Sequence, residues 1–555
     1  MIPARLSLYL HTVRYLKPSQ IWFQLLRRVC RLKRSPGSRP FGVRPGLELL
    51  PPLDRVAPCG GQWQFTFLNV TRDFDGQGVD WRSADQSKLW RYNLHYFDYL
   101  HDGSRSPETC SGLIDDWICA NPPGTPDAWE PFTLSLRIVN WIKFFLRTDL
   151  AVGGKPRWLE SLHTQVLWLE RNLELHILAN HYFKNLVALI FAGTYFTGSD
   201  AKRLLSKGLK RLDSQLEQQL LPDGLHFERS PMYHAMILND CLDLLNLCRT
   251  QTQGAHAVLG ARLPAVCRSM LDALLKMSHP DGEIALFNDA AFGIEASPQA
   301  LARYYRRLTG LEATLPVALL WQLPEAGYYV MAPAPGSRLI IDCGAVGPDY
   351  QPGHAHCDTL SFELSHRGRR IVVDSGCGTY PEGAMRRYNR GNAGHNTLTV
   401  DAANQSEVWG AHRVAHRARP LGASLQLLDD GSLCFAGAHD GYRRLLGNPV
   451  HRRSVTWRGA EIAIDDEVAG AGTHHIELRL HLNPALQVEM VQGEVLVRDG
   501  ELLLAGITRS GAGRVELDNG WYCPEFGRML PCPLLLVRHP GAALPFHGGW
   551  RIELF

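Results

Sequence analysis

The sequence predicts a multidomain α and β protein, a run of helical hairpins followed by an antiparallel β-sandwich. Its 555 residues are 45% hydrophobic and 20% charged, enough to bury large cores and more than one domain holds comfortably. From about Trp90 to Arg307 the apolar period is helical, as in SLRIVNWIKFFL, where Leu134, Ile138, Ile142 and Phe145 share a face. After Pro324 the period becomes two, clearest where Ile476, Leu478, Leu480 and Leu482 alternate with Glu477, Arg479 and His481.

Element by element, helical stretches are expected at 182 to 195, 201 to 220, 233 to 249, 262 to 277 and 298 to 308, joined by turns such as Leu221-Pro222-Asp223-Gly224. Hairpins in such number close into a toroid or stack as a solenoid. Strands are expected at 338 to 343, 359 to 364, 370 to 374, 396 to 400, 432 to 436, 461 to 465 and 502 to 506. Three bodies follow: a basic arm at 1–84 packed on the helical body, a helical domain at 85–325, and a β domain at 326–555. The arm holds ten Lys or Arg before residue 47 and no acid, so the formal charge of +3 leaves the remainder near −7 (48 basic against 55 acidic). Such an arm suits an anionic polymer, a membrane surface or a solvated helix. The thirteen Cys show no CxxC pair or finger spacing, which points to buried thiols. Arg5, His11, Arg14 and Lys17 interrupt any apolar leader, and no run is long enough for a membrane span. The expectation is a soluble protein, cytoplasmic as it stands, or periplasmic or secreted where a leader has been removed. Nucleic acid is not an expected partner.

Four polar, aromatic segments interrupt these elements. In LANHYFKN, Asn180 suits an N-cap and His181 follows it; in HFERSPMYH, Ser230-Pro231 starts a helix with Tyr233 in its first turn, where a core tyrosine is equally acceptable. In GHAHCD, His354 and His356 project to one side of an extended chain. The fourth runs from Asp374 through Tyr380 to Arg386-Arg387-Tyr388-Asn389-Arg390 and His395. Two His and a carboxylate from three segments suit Zn²⁺.

The strings GHAHCDTLSFEL, VVDSGCGTY and RRYNRGNAGHNTLTVDAANQSEVWG, with NLHYFDYL, WEPFTLSLRIVNW, LANHYFKN and HFERSPMYH upstream, resemble the heparinase II/III-like polysaccharide lyases over about residues 85 to 420. The resemblance implies an (α/α) toroid before the sandwich and β-elimination on a uronic-acid-containing polysaccharide, leaving 4,5-unsaturated ends. It implies Zn²⁺, mainly structural, on His356, Asp374 and His395. It places Tyr233 and His354 as the proton-transfer pair, with the tyrosine pKa lowered by cationic donors. Asn180 and His181, with Arg229, would neutralise the uronate carboxylate. Arg386, Arg387 and Arg390 would hold anionic groups of neighbouring sugars, with Trp129, Glu130 and Tyr388 lining the chain. A glycoside hydrolase using Glu130 with Asp223, Glu228 or Asp289, or a silent glycan-binding or assembly protein, remain the competing readings.

Overall fold

A computed structural model describes residues 4–29, 40–51, 53, 61–74, 78–103, 105–147, 155–249 and 254–555. Helices occupy Lys88–Tyr96, Pro107–Ala120, Pro131–Arg147, Pro156–Arg171, Ala179–Tyr195, Ser199–Gln219, Pro231–Cys248, Gly254–Lys276 and Pro298–Thr309. Sequence chemistry sets several starts: Ser106, Ser230 and Ser297 each accept a backbone N–H from the third residue on, and each is followed by proline. Ala179–Tyr195 is apolar almost all round and buried, the centre of the helical core. Its neighbour Ser199–Gln219 approaches so closely that a Cβ at Gly193 would fall 2.5 Å from the Leu205 nitrogen, and one at Gly208 2.7 Å from Ile190.

Beyond Leu320 the chain is antiparallel sheet apart from the short helix Ala384–Arg390. A five-stranded sheet runs Leu320–Leu323 to Arg369–Val372 in chain order, beside a four-stranded and an eight-stranded sheet. Inward residues of all three, among them Phe362, Phe435, Leu478 and Ile552, share one apolar core. In Thr473–His481 the even-numbered residues are buried, as the alternation requires. The halves interlock through a smaller core of Leu225, Met277 and Phe287 with Tyr328, Val330 and Ile340. They are also joined by a fully buried pair, His279 Nε2 to Glu363 at 2.9 Å.

Two expectations about the N-terminal part change. Residues 61–81 are not arm: the hairpin Gln64–Phe67 and Val70–Asp73 puts Phe65 in the helical core with Trp81, Trp90 and Tyr99, because these aromatics have no other place to bury. The helix Ala4–Val13 lies on the β half instead, Thr12 bonding the Val414 carbonyl and receiving Trp409 Nε1. The helix Pro18–Val29 bridges: Gln20 Nε2 donates to the carbonyls of Ile177 and Tyr350. The stretch around Arg44 meets the helical body through Gly42–Val43 paired with Phe196–Thr197, and Leu50 does so through Asn246. Arg31, Lys33, Arg34 and Arg39 lie outside the described residues. Every described cysteine is a free thiol, buried except Cys119 and Cys434. No helix among the described residues is long and apolar enough to cross a membrane.

Candidate active site

Segments from both halves meet around Asp289, in the loop after the helix Gly254–Lys276. Its buried carboxylate receives both Arg386 Nη atoms, His354 Nδ1 at 2.9 Å and His356 Nε2 at 2.8 Å. Burial alone would raise its pKa, but Arg386 and the two imidazole bonds outweigh that and hold it well below the usual carboxylate range. His354 and His356 thus address one group as expected, although the chain there turns and is not an extended strand. Since ionised Asp289 only accepts, His354 donates to it through Nδ1, and its Nε2 lies 3.5 Å from Glu228 Oε2.

Tyr233 lies against His354, ring centroids 3.9 Å apart, and its hydroxyl meets Tyr380 Oη at 2.7 Å. The expected depression of its pKa is reversed: burial, then the charge on Asp289, pushes the phenol well above its ordinary value. Tyr233 is a neutral donor here. Glu228 receives Asn180 Nδ2 at 2.9 Å and the Asn180 N–H at 3.1 Å, so this glutamate, at the positive end of Ala179–Tyr195, fills the role expected of an Asn180 cap. Asn180's side-chain amide and backbone N–H thus both meet Glu228. His181 is partly open to solvent; burial disfavours its charge, but Glu174, 3.0 Å away, prevails and raises its pKa. Non-glycine residues with positive φ adjoin these groups: Leu178 and Ala179 before Asn180, Arg229 after Glu228, and Asn288 before Asp289. Such strain persists where surrounding contacts fix the backbone.

The other expected substrate contacts mostly dissolve. Trp129 is buried between Trp117 and Trp168 and donates to the Asn121 carbonyl. Glu130 is held by Lys88 and Tyr92. Arg229 ties the two halves through the carbonyls of Glu325 and Ala326. Arg386 is locked on Asp289, Tyr388 bonds His481, and buried Arg390 donates to the carbonyls of Ala355 and Gly410. These side chains answer the carbonyls and acids of a loop with little regular structure, a demand that residue type alone conceals. Arg387 alone of the three arginines is exposed.

Behind the Asp289 cluster, His356 Nδ1 and His395 Nε2 are buried without hydrogen-bond partners, and one ligand atom each of His356, Asp358 and His395 lie within 4.8 Å of one another. Each imidazole is oriented by a carboxylate on its far nitrogen, Asp289 for His356 and Asp374 for His395 (2.8 Å). Two bare nitrogens and one carboxylate oxygen fit Zn²⁺. Asp374, expected as a ligand, here orients His395, and Asp358 takes its place in the group.

Family models described as "Heparinase II/III N-terminus" and "Heparinase II/III-like, C-terminal" match residues 62–309 and 316–545. The chain belongs to the heparinase II/III-like family. This heparinase II/III-like chain is 25% identical over 321 residues to a heparin-sulfate lyase of Pedobacter heparinus, covering 52% of this chain and 47% of that one. It is 24% identical to the Bacteroides thetaiotaomicron heparin-sulfate lyase, over 74% and 64% of the two chains. The matches thus span less than two thirds of either lyase. It is also 25% identical to FtsZ-localized protein C of Caulobacter vibrioides, over 78% and 74%. The fold matches a crystal structure of heparinase III with a TM-score of 0.70 at 19% identity, over 86% and 79%.

The family motifs pointed to Tyr233, His354, Asn180 and His181, which the fold gathers, but not to Asp289, Glu174 or Tyr380. Asp289 had a signal, as the one acid in the apolar stretch IALFNDAAF. Acid lability follows from such sites. Asp289, Glu363 and Asp466 are all depressed by arginine and histidine partners against the opposing effect of burial. A depressed folded pKa contributes stability that is present above the unfolded carboxylate value of about 4 and is lost as pH falls below it. Denaturant midpoints measured from pH 7 down to about 3 are expected to fall steeply at the acid end.

Proposed function

We propose that this chain is a polysaccharide lyase that cleaves an anionic, uronate-containing polysaccharide by β-elimination. The observation that carries the proposal is the Tyr233–His354 pair beside Asp289, placed with His181, whose pKa Glu174 raises against the effect of burial. In this reading His354 Nε2 takes the C5 proton, the C4–O bond breaks as the C4–C5 double bond forms, and the Tyr233 hydroxyl protonates the departing oxygen. Atoms balance without water. His181 supplies positive charge to the uronate carboxylate, which lowers the cost of the carbanion-like transition state. A groove of about 550 Å³ lined by Arg203, Lys207, Lys210 and Arg211 includes Tyr182 and Leu175, chain neighbours of His181 and Glu174, and suits further anionic sugars. The relatives named as heparin-sulfate lyases support a glycosaminoglycan-like substrate or a bacterial exopolysaccharide. The paired helices read as an (α/α) toroid and the three sheets as an antiparallel sandwich, with the site between them.

Incubation with a panel of uronate polysaccharides tests the proposal. Ultraviolet-absorbing unsaturated ends are expected, and saturated ends or no cleavage would overturn it. Each candidate acid of the hydrolase reading already has a partner in the protein: Asp289 meets Arg386 and two histidines, Glu228 accepts from Asn180, Glu130 from Lys88, and Asp223 from the Ala326 N–H. Similarity to FtsZ-localized protein C favours a non-catalytic assembly role as the second reading, which absence of product would select.

We further propose that His356, His395 and Asp358 hold one Zn²⁺ that ties the His354 turn to the loop after Arg390. When bound, it supplies structure to the turn and no chemistry to the sugar. Elemental analysis is expected to find about one zinc per chain, and His395→Ala to lose it with a lower melting temperature. His181→Ala is expected to raise KM and cut kcat/KM by about 10- to 100-fold, read in the same absorbance assay.

A further inference from the structure

The two N-terminal helices carry their apolar residues on the wrong side for a soluble body. In Ala4–Val13 the exposed large residues are Leu6, Tyr9, Leu10 and Val13; in Pro18–Val29 they are Ile21, Trp22 and Leu25. Both sets follow the 3.6-residue period, so each is one stripe along its helix. Exposure runs from 37% at Ile21 to 64% at Trp22. The side facing the protein mixes half-buried Leu8, Phe23 and Leu26 with polar contacts, His11 against His416, Thr12 on the Val414 carbonyl and Gln20 on the carbonyls of Ile177 and Tyr350, and Tyr9 also packs edge-on against Trp409. Around the stripes stand Arg5, Arg14, Lys17, Arg27 and Arg28, with no acidic residue before Glu48.

We infer that residues 4–28 dock this protein peripherally on the surface of an anionic lipid bilayer. Aliphatic stripes with a tryptophan, on a segment whose own charges are all basic, fit the boundary between acyl chains and acidic headgroups. A sugar chain offers nothing for Leu6, Leu10, Val13 and Leu25 to bury against. A symmetric second copy would set the same cations against each other. The arm lies outside the matched family segments, which begin at residue 62. It also positions the site: the segment under the first helix, around Trp409 to His416, includes His412, which flanks His354 and Tyr380. The bilayer would lie beside the mouth of the cluster.

Co-sedimentation of the full chain with vesicles tests this. Binding is expected to phosphatidylcholine vesicles containing about one third phosphatidylglycerol, to weaken at least tenfold on pure phosphatidylcholine, and to weaken again in about 0.5 M salt. The double variant Trp22→Glu/Leu25→Glu is expected to lose binding by at least about tenfold with an unchanged melting curve, since both side chains are mostly in solvent. The charge variant Arg5→Gln/Arg14→Gln/Arg28→Gln separates the electrostatic part and is expected to bind the acidic vesicles more weakly. No sedimentation with acidic vesicles, equal binding by the double variant, or a double variant that changes only oligomeric state would each overturn the inference. No substrate enters the assay, so its outcome is independent of the lyase proposal.

Discussion

Tyr233→Phe is expected to lower elimination turnover by about 10²- to 10⁴-fold on the best polysaccharide, with fold and metal content intact. The phenol is held neutral by burial and by Asp289, so its useful property is a proton to give, and phenylalanine keeps the ring packed on His354 while removing that proton. His354→Ala is expected to cost as much, through loss of the base. The two differ in rescue: a substrate with a better leaving group at C4 should restore the tyrosine variant and leave the histidine variant slow. Near wild-type turnover by Tyr233→Phe would remove this residue from proton transfer even if the chain proves to be a lyase.

Asp289→Ala is expected to have the largest effect on the folded state. The substitution strips Arg386 of the carboxylate that both its Nη atoms meet and releases both His354 and His356. Breaking a buried ion pair by removing one partner typically costs about 3–5 kcal/mol. Denaturant unfolding should show a loss of that order, together with abolished turnover because His354 loses the bond that fixes its tautomer. Asp289→Asn keeps the shape but can accept only through one oxygen, and should fall between the two.

The fold was legible where periodicity is strong. The helix over 298–309 and the alternation of Ile476 to Leu480 follow from apolar spacing alone, because one face of each must be buried. The long strands Val515–Glu525 and Arg528–Ala543 were not picked out, since Pro524, Pro531 and Pro533 mask a pattern that the structure tolerates in a twisted hairpin. In the site, motif order located Tyr233 and His354. It could not reveal that Arg386 and Arg390 face inward, because an arginine beside a loop of unpaired carbonyls looks the same in sequence as one awaiting an anionic sugar. Asp374 and Asp358 were likewise indistinguishable: which acid faces the open nitrogens depends on which ring nitrogen each histidine already spends elsewhere.

Gln20 gives the arm a mechanical meaning. Its one amide grips Ile177 from the helical half and Tyr350 from the β half, close to His181 and His354 respectively. Any hinge motion that widens the gap between those carbonyls must break one grip or drag the helix Pro18–Val29 along with it. Whatever seats that surface helix therefore bears on the helical half and the β half at once, through one side chain.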